Sequence, residues 1–175
     1  MSNEIKISMP QTLNHPYFFS NIEEVIIDAT LYQQWNSKAA SEFSYELLAS
    51  QKVQCYHPWE HVREVFADMV NDWKNIQAQL DELYQQRKTS QVGPLMKQGI
   101  SICFASLFWL NEKPIILHEW QKAIDELQFV PVNFAERMEF VLARPNLYQS
   151  FKVLEQFMVE VEKLFVRSQI LKKKK

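Results

Sequence analysis

Glycine is nearly absent from this sequence. Gly93 and Gly99 are its only two in 175 residues, which leaves no glycine-rich loop to cradle a phosphate at the start of a helix. Cysteine is as scarce. Cys55 and Cys103 are the whole supply, so a disulfide framework is excluded, and Cys103 sits in the run Ile102-Cys103-Phe104-Ala105, where a thiol behaves as a small hydrophobe. Long apolar runs are missing too: the most apolar stretch, Ile100 to Leu110, contains Ser101 and Ser106 and falls short of the roughly 20 residues that a membrane span needs. The opening Met1-Ser2-Asn3-Glu4-Ile5-Lys6 lacks the basic and then apolar segments of a secretory leader. A cytoplasmic protein with no membrane contact is expected.

Neither sign of charge is in large excess. The chain has 19 basic and 21 acidic residues, a formal net charge of −2, which argues against a surface that coats nucleic acid broadly. The balance conceals one asymmetry. Four consecutive lysines, Lys172 to Lys175, end the sequence, and without them 15 basic residues face 21 acidic ones.

What is present is helical period. Trp59, Val62, Phe66, Met69, Trp73, Ile76, Leu80 and Leu83 follow one another by alternating threes and fours, the spacing that keeps one helical face turned toward a partner. Pro58 suits a first helical position, so a long helix is expected from about 58 to 88, roughly 45 Å at the usual rise. Residues 1–16 carry Pro10 and Pro16 without a steady period and read as an extended N-terminal arm. Asn21, Asn133 and Asn146, each followed three residues later by Glu or Gln, fit capping boxes. They predict helices from about 22 to 35, from 134 to the break at Arg144-Pro145, and from 147 onward. Further helices are expected at about 39–50, 95–111 and 115–128. Val25-Ile26-Ile27 remains open to a strand, because a short apolar run does not fix its own period. The fold class is therefore all-α: a single-domain bundle of about six or seven helices over 17–171, ending in a basic tail at 172–175.

Chemical motifs are few. His57-Pro58-Trp59-Glu60-His61 matches the H-x-x-E-H pattern of inverted zinc peptidases. In that pattern both histidines sit one turn apart on a continuous helix, whereas a residue before proline is pushed toward extended geometry. His57 is then a cap outside the helical face, and His57, Glu60 and His61 are expected to hold no metal. His118-Glu119 has Lys122 where a second zinc-ligating histidine would stand. Cys55, two residues from His57, is the better placed of the two thiols for reactivity and is expected to be inert. No cofactor is expected.

The stretch Val132-Asn133-Phe134-Ala135-Glu136-Arg137-Met138-Glu139-Phe140-Val141-Leu142, followed by Pro145, Tyr148, Ser150-Phe151 and Leu154, with Pro58-Trp59-Glu60 upstream, resembles the YpoC-like proteins of Firmicutes. The resemblance rests on core and capping residues and implies no assigned activity. It does imply a genomic neighbourhood of DNA replication and repair genes. The reading from sequence is a non-catalytic helical module that presents a surface to an unidentified protein. One alternative is a nucleic-acid-associated accessory factor using Lys172, Lys173, Lys174 and Lys175. The other is a metal-dependent hydrolase at His57, Glu60 and His61. Because Ile76, Leu80 and Leu83 continue the stripe beyond what a compact body should cover, they are expected to pair with a second copy as a homodimer through the long helix.

Overall fold

The computed structural model describes residues 3–174, which run in the order β1 (Glu4–Ser8), β2 (Glu24–Asp28), α1 (Ser44–Ser50), α2 (Val62–Gln85), α3 (Gly93–Leu110), α4 (Trp120–Asp125), α5 (Phe134–Ala143) and α6 (Tyr148–Lys173). Short 3-10 turns lie between them, among them Ala29–Tyr32, Ser37–Ser41 and Pro58–Glu60. The fold is predominantly helical with six helices, as the sequence predicts, plus one small antiparallel hairpin.

α3 is the centre. It is apolar on every side, and from Gly99 to Leu110 each of its residues is buried. Its two serines satisfy themselves locally: Ser101 Oγ donates to the Lys97 carbonyl at 2.8 Å, and Ser106 Oγ points at Met69 Sδ. α2 and α6 both pack on α3 and on each other. These two long helices run antiparallel, as their side-chain contacts establish in order. Phe66 stacks on Phe165 with ring centroids 4.0 Å apart, Gln77 Nε2 donates to Glu155 Oε2 at 2.5 Å, and Tyr84 stacks on Phe151 at 5.3 Å. The Tyr84 hydroxyl closes the far end by donating to the Asn146 carbonyl at 2.8 Å. Gly99 is where the three helices approach most closely: a Cβ there would lie 2.8 Å from Trp73 Cζ3 and 3.0 Å from Leu154 Cδ2. No side chain larger than hydrogen fits without displacing one of them.

Three expectations are corrected. The helix predicted over 22–35 is instead β2 followed by the 3-10 turn Ala29–Tyr32. The β-branched run Val25-Ile26-Ile27 wins over the capping box, and Asn21, the supposed cap, adopts φ 57°, a left-handed conformation that Asn tolerates. Asn133 also has φ 57° and precedes α5 without a side-chain cap, while Leu147, not Asn146, precedes α6. The long helix is also shorter than expected. His61 at φ −132° separates the turn Pro58–Glu60 from α2, and Arg87 at φ 59° lies just beyond the α2 C-terminus. The remaining 24 residues span about 36 Å.

The N-terminal stretch is extended, and it is built into the body. β1 pairs with β2 in the register Glu4↔Asp28 to Ser8↔Glu24, Ile7 and Leu13 are buried, and the Thr12 carbonyl accepts from the amides of Leu117 and His118 at 2.8 and 3.0 Å. Phe18 completes the anchorage, edge-on to Phe43 at 5.2 Å and to Phe104 of α3 at 5.8 Å. No described helix is long and apolar enough to cross a membrane.

Candidate interaction site

His57 and His61 are held apart by their immediate neighbours. His57 Nδ1 lies 3.2 Å from Glu60 Oε2 and its ring stacks on Trp59, whereas His61 Nδ1 lies 3.9 Å from Glu64 Oε1 and its ring stacks on Tyr56. Among the described residues no group of three or more His, Cys, Asp or Glu side chains is arranged to share a metal. Glu60 and His61 do meet Lys172 and Lys173, in a surface hollow of about 330 Å³ where the N-terminal end of α2 adjoins the C-terminal end of α6. Lys172 is paired there with Glu112. Lys173 and Lys174 are exposed, and Lys175 lies outside the described residues. The Cys55 thiol is pushed up to about 11 by burial first and by the nearby Glu46 carboxyl second. It therefore stays protonated and unreactive.

The surface expected to hold a second copy is covered from within. Ile76 and Leu80 are buried, and Leu83 packs against the same core. The reason is that α2 packs along its length on α3 and also on the antiparallel α6, which reaches as far as Tyr84. The sequence does not reveal that pairing, because it shows the periodicity of each helix and not which faces meet.

A further opening lies along β2. It is a cleft of about 700 Å³ lined by all five residues of β2, by Phe18, Phe19 and Ile22 before it, by Leu31 and Tyr32 after it, and by the segment from Ser41 to Ser44 with Leu47, Lys97 and Ser101. The floor is rigid aromatic and aliphatic core: Phe18, Tyr32, Phe43 and Leu47 are all buried. Phe43 holds φ 57°, a conformation that costs a bulky L-residue about 1–2 kcal/mol and is sustained here by complete burial of its ring. The walls are apolar and open to water. Ile22 is 43% exposed, Ile26 64% and Leu31 56%. Single exposed aliphatics are ordinary, but three converging on one cleft form a patch of the kind that marks recognition.

The rim carries Glu24, Asp28 and Glu42 with Lys97, and Glu24 is also paired across the hairpin with Lys6 at 3.6 Å. Asp28 is firmly ionised. Its carboxylate accepts from the Thr30 hydroxyl at 2.6 Å and from the Asn3 and Thr30 amides at 3.0 Å, and these bonds, the hydroxyl first, hold it below the usual carboxylate range.

Behind the cleft, one turn into α1, Glu46 is buried. Its Oε2 accepts from Trp109 Nε1 at 2.7 Å and from the Ile115 amide at 3.2 Å, while Oε1 has no partner. Burial pushes this carboxyl up to about 7 against the opposing effect of those two donors. Its donor Trp109 packs edge-on to Trp35 at 6.0 Å, and Trp35 is tied to α2 through Nε1 donating to Asp68 Oδ2 at 2.8 Å. Glu46 is 6% exposed.

None of the exposed cleft residues follows from helical periodicity. The available signal is Val25-Ile26-Ile27 between two acids, a β-prone run with an odd excess of aliphatics for a strand so short.

The sequence profile of the YpoC-like protein family matches residues 63–173. The Bacillus subtilis (strain 168) protein described as "Uncharacterized protein YpoC" is 32% identical over 111 residues, covering 63% of this chain and 68% of that protein. No solved structure matches. The profile match spans α2 to α6, and β2 with the cleft walls before residue 48 lies ahead of it.

Proposed function

This chain belongs to the YpoC-like family, and from that premise we propose that it is a non-catalytic interaction module of the cytoplasm that receives a protein partner in the cleft beside β2. The observation that carries this reading is the convergence of Ile22, Ile26 and Leu31, all in water, over a floor of buried aromatic rings. Binding energy at protein interfaces concentrates on a few apolar anchors seated in preformed pockets, with a polar rim excluding water around them. The cleft supplies that arrangement: its floor is fixed by the core, and its exposed aliphatics lose solvent only when a partner arrives. The test is site-specific crosslinking in the native cell. A photoreactive residue at position 26 should give one recurrent adduct that Leu31→Glu removes, while the same residue at position 79, on the exposed side of α2, should not. Equal adducts from both positions would sink the reading.

A second reading has its own observation. Along the second half of α6 and just past its end, the outward residues Val159, Lys163, Val166, Arg167, Ile170 and Lys174 are all exposed and fall on one helical stripe with no acid among them. Such a stripe suits an anionic partner, and a nucleic-acid accessory role would use it together with the lysine tail. It predicts binding to duplex DNA that weakens steeply with salt and is lost in the double variant Lys163→Glu, Arg167→Glu. Binding with no salt slope would exclude it.

A further inference from the structure

The side of β2 that faces the cleft is its unpaired edge. A strand turned face-on toward an opening lines it with alternate residues, yet Glu24, Val25, Ile26, Ile27 and Asp28 all line this one, and no residue of β1 does. The hydrogen-bond register agrees. The Met9 amide donates to the Glu23 carbonyl at 2.8 Å, and the Ala29 amide donates to the Asn3 carbonyl at 3.0 Å. Bonded positions alternate along an antiparallel pair. Residues 23, 25, 27 and 29 therefore turn their backbone to β1, and Glu24, Ile26 and Asp28 turn theirs to the cleft. Among the described residues, no other backbone group outside the regular elements donates to or accepts from those three amides or the Glu24 and Ile26 carbonyls.

The two strands also differ in how they treat pairing. At its centre β1 carries Lys6, the residue type that discourages edge-to-edge association, and the position opposite in the register is Ile26, the most exposed aliphatic of the cleft. A bare edge of Glu-Val-Ile-Ile-Asp is a template for another strand.

Charge selects what that strand is. If a second copy added its own β2 by two-fold antiparallel pairing about Ile26, Glu24 would face Asp28 at both ends, and like charges directly opposite destabilise a pair. Glu42 on the same rim adds to the repulsion. We propose that β2 takes a third strand from a different protein: an extended segment with apolar, β-branched side chains at alternate positions and Lys or Arg at its ends, facing Glu24, Asp28 and Glu42. The main-chain bonds of the added strand supply affinity and its alternating side chains supply register. This inference rests on the cleft reading and names the chemistry of its partner.

The test uses the full chain as bait for a random peptide library displayed on phage, followed by amide hydrogen exchange with the selected peptides made synthetically. The proposal expects enriched sequences that alternate apolar residues and carry terminal Lys or Arg. Bound peptide should protect the amides of Glu24, Ile26 and Asp28, which exchange freely without it, while those of Val25 and Ile27 are protected throughout. N-methylation of the peptide backbone at its edge-facing positions should weaken binding at least tenfold, and the double variant Glu24→Lys, Glu42→Lys should reverse the preference from basic to acidic ends. Peptides that bind the cleft but leave those three amides exchanging freely, or that tolerate N-methylation, would overturn the added strand and leave the cleft reading standing. No enrichment at all would also overturn it, and the crosslink from position 26 then decides separately whether the cleft reading falls too. A dimer in light scattering that peptide dissociates would assign the edge to a second copy and overturn the proposal.

Discussion

Between α2 and α6, the buried apolar stripes, such as Val65, Met69, Trp73, Ile76 and Leu80 of α2, are covered by other helices of the same chain. Between β1 and α1, three large aliphatics stay in water around a cleft whose floor is as well packed as the core beneath it. The first region is the one that matches the YpoC-like profile, and its apolar periodicity is spent on internal contacts such as Phe66 on Phe165 and Trp73 over Gly99. The second has little periodicity, and its uncovered aliphatics gather at one cleft, whereas those of the first, such as Val159, Val166 and Ile170, lie along the outward face of α6. Apolar residues on a regular stripe report how a chain folds upon itself, and those that a finished fold leaves uncovered, gathered in one place, report what it is shaped to meet.

If this division is right, substitutions in the two regions should separate stability from binding. The largest effect is expected from Leu80→Lys, which puts a charge where α2 is fully covered by its own chain. It should cost more than about 4 kcal/mol and abolish helical circular dichroism at room temperature. A folded variant of altered mass would instead restore the intermolecular role of that face.

Next is Glu46, where the effect depends on pH. Its ordinary value is 4.5 and the folded carboxyl titrates near 7, so between these limits the folded state binds a proton that the unfolded state has released. Stability from this group is therefore highest at and below about pH 4.5, falls by about 3 kcal/mol as pH rises to about 7, and is flat beyond. Urea unfolding of wild type and Glu46→Gln from pH 4.5 to 8 should give curves that diverge over this window, the wild type losing stability relative to the variant. Parallel curves would mean that Glu46 is ionised in the fold at all these values.

Gly99→Ala should cost about 1–3 kcal/mol, the range for forcing a methyl into a filled contact, because its Cβ meets Trp73 and Leu154. Chemical denaturation checks it, and a neutral result would show that the three helices separate readily there. The smallest effect on stability belongs to Ile26→Thr, within about 0.5 kcal/mol as for other surface changes. That same variant should lose the peptide-bound state, so the substitution that least disturbs the fold most disturbs recognition.

The helical region was legible because burial in a bundle repeats with the helix turn. The ends of α5, the apolar character of α3 and the stripe of α2 all follow from spacing. Partner choice between helices was not legible: Ile76, Leu80 and Leu83 announce a contact without saying that it is made within the chain, where α2 packs on α3 and α6. The hairpin escaped because Asn21 and Glu24 imitate a capping box while Asn21 forms a left-handed turn. The unusual state of Glu46 was invisible for a different reason, since its enclosure depends on Trp109 and Ile115, more than sixty residues along the chain.

The antiparallel alignment of α2 with α6 carries a consequence for synthesis. Phe66 and Phe165, ring on ring in the finished molecule, leave the ribosome about a hundred residues apart, which at roughly 5–20 residues per second is a wait of several seconds or more. Through that interval α3, which follows α2 directly and packs on it, is available to cover part of the apolar face, while the part that meets α6 stays open, the kind of nascent surface that holding chaperones bind. Completing the cover is thus a task for α6, and a message truncated before it yields a chain whose α2 has lost the cover that α6 provides.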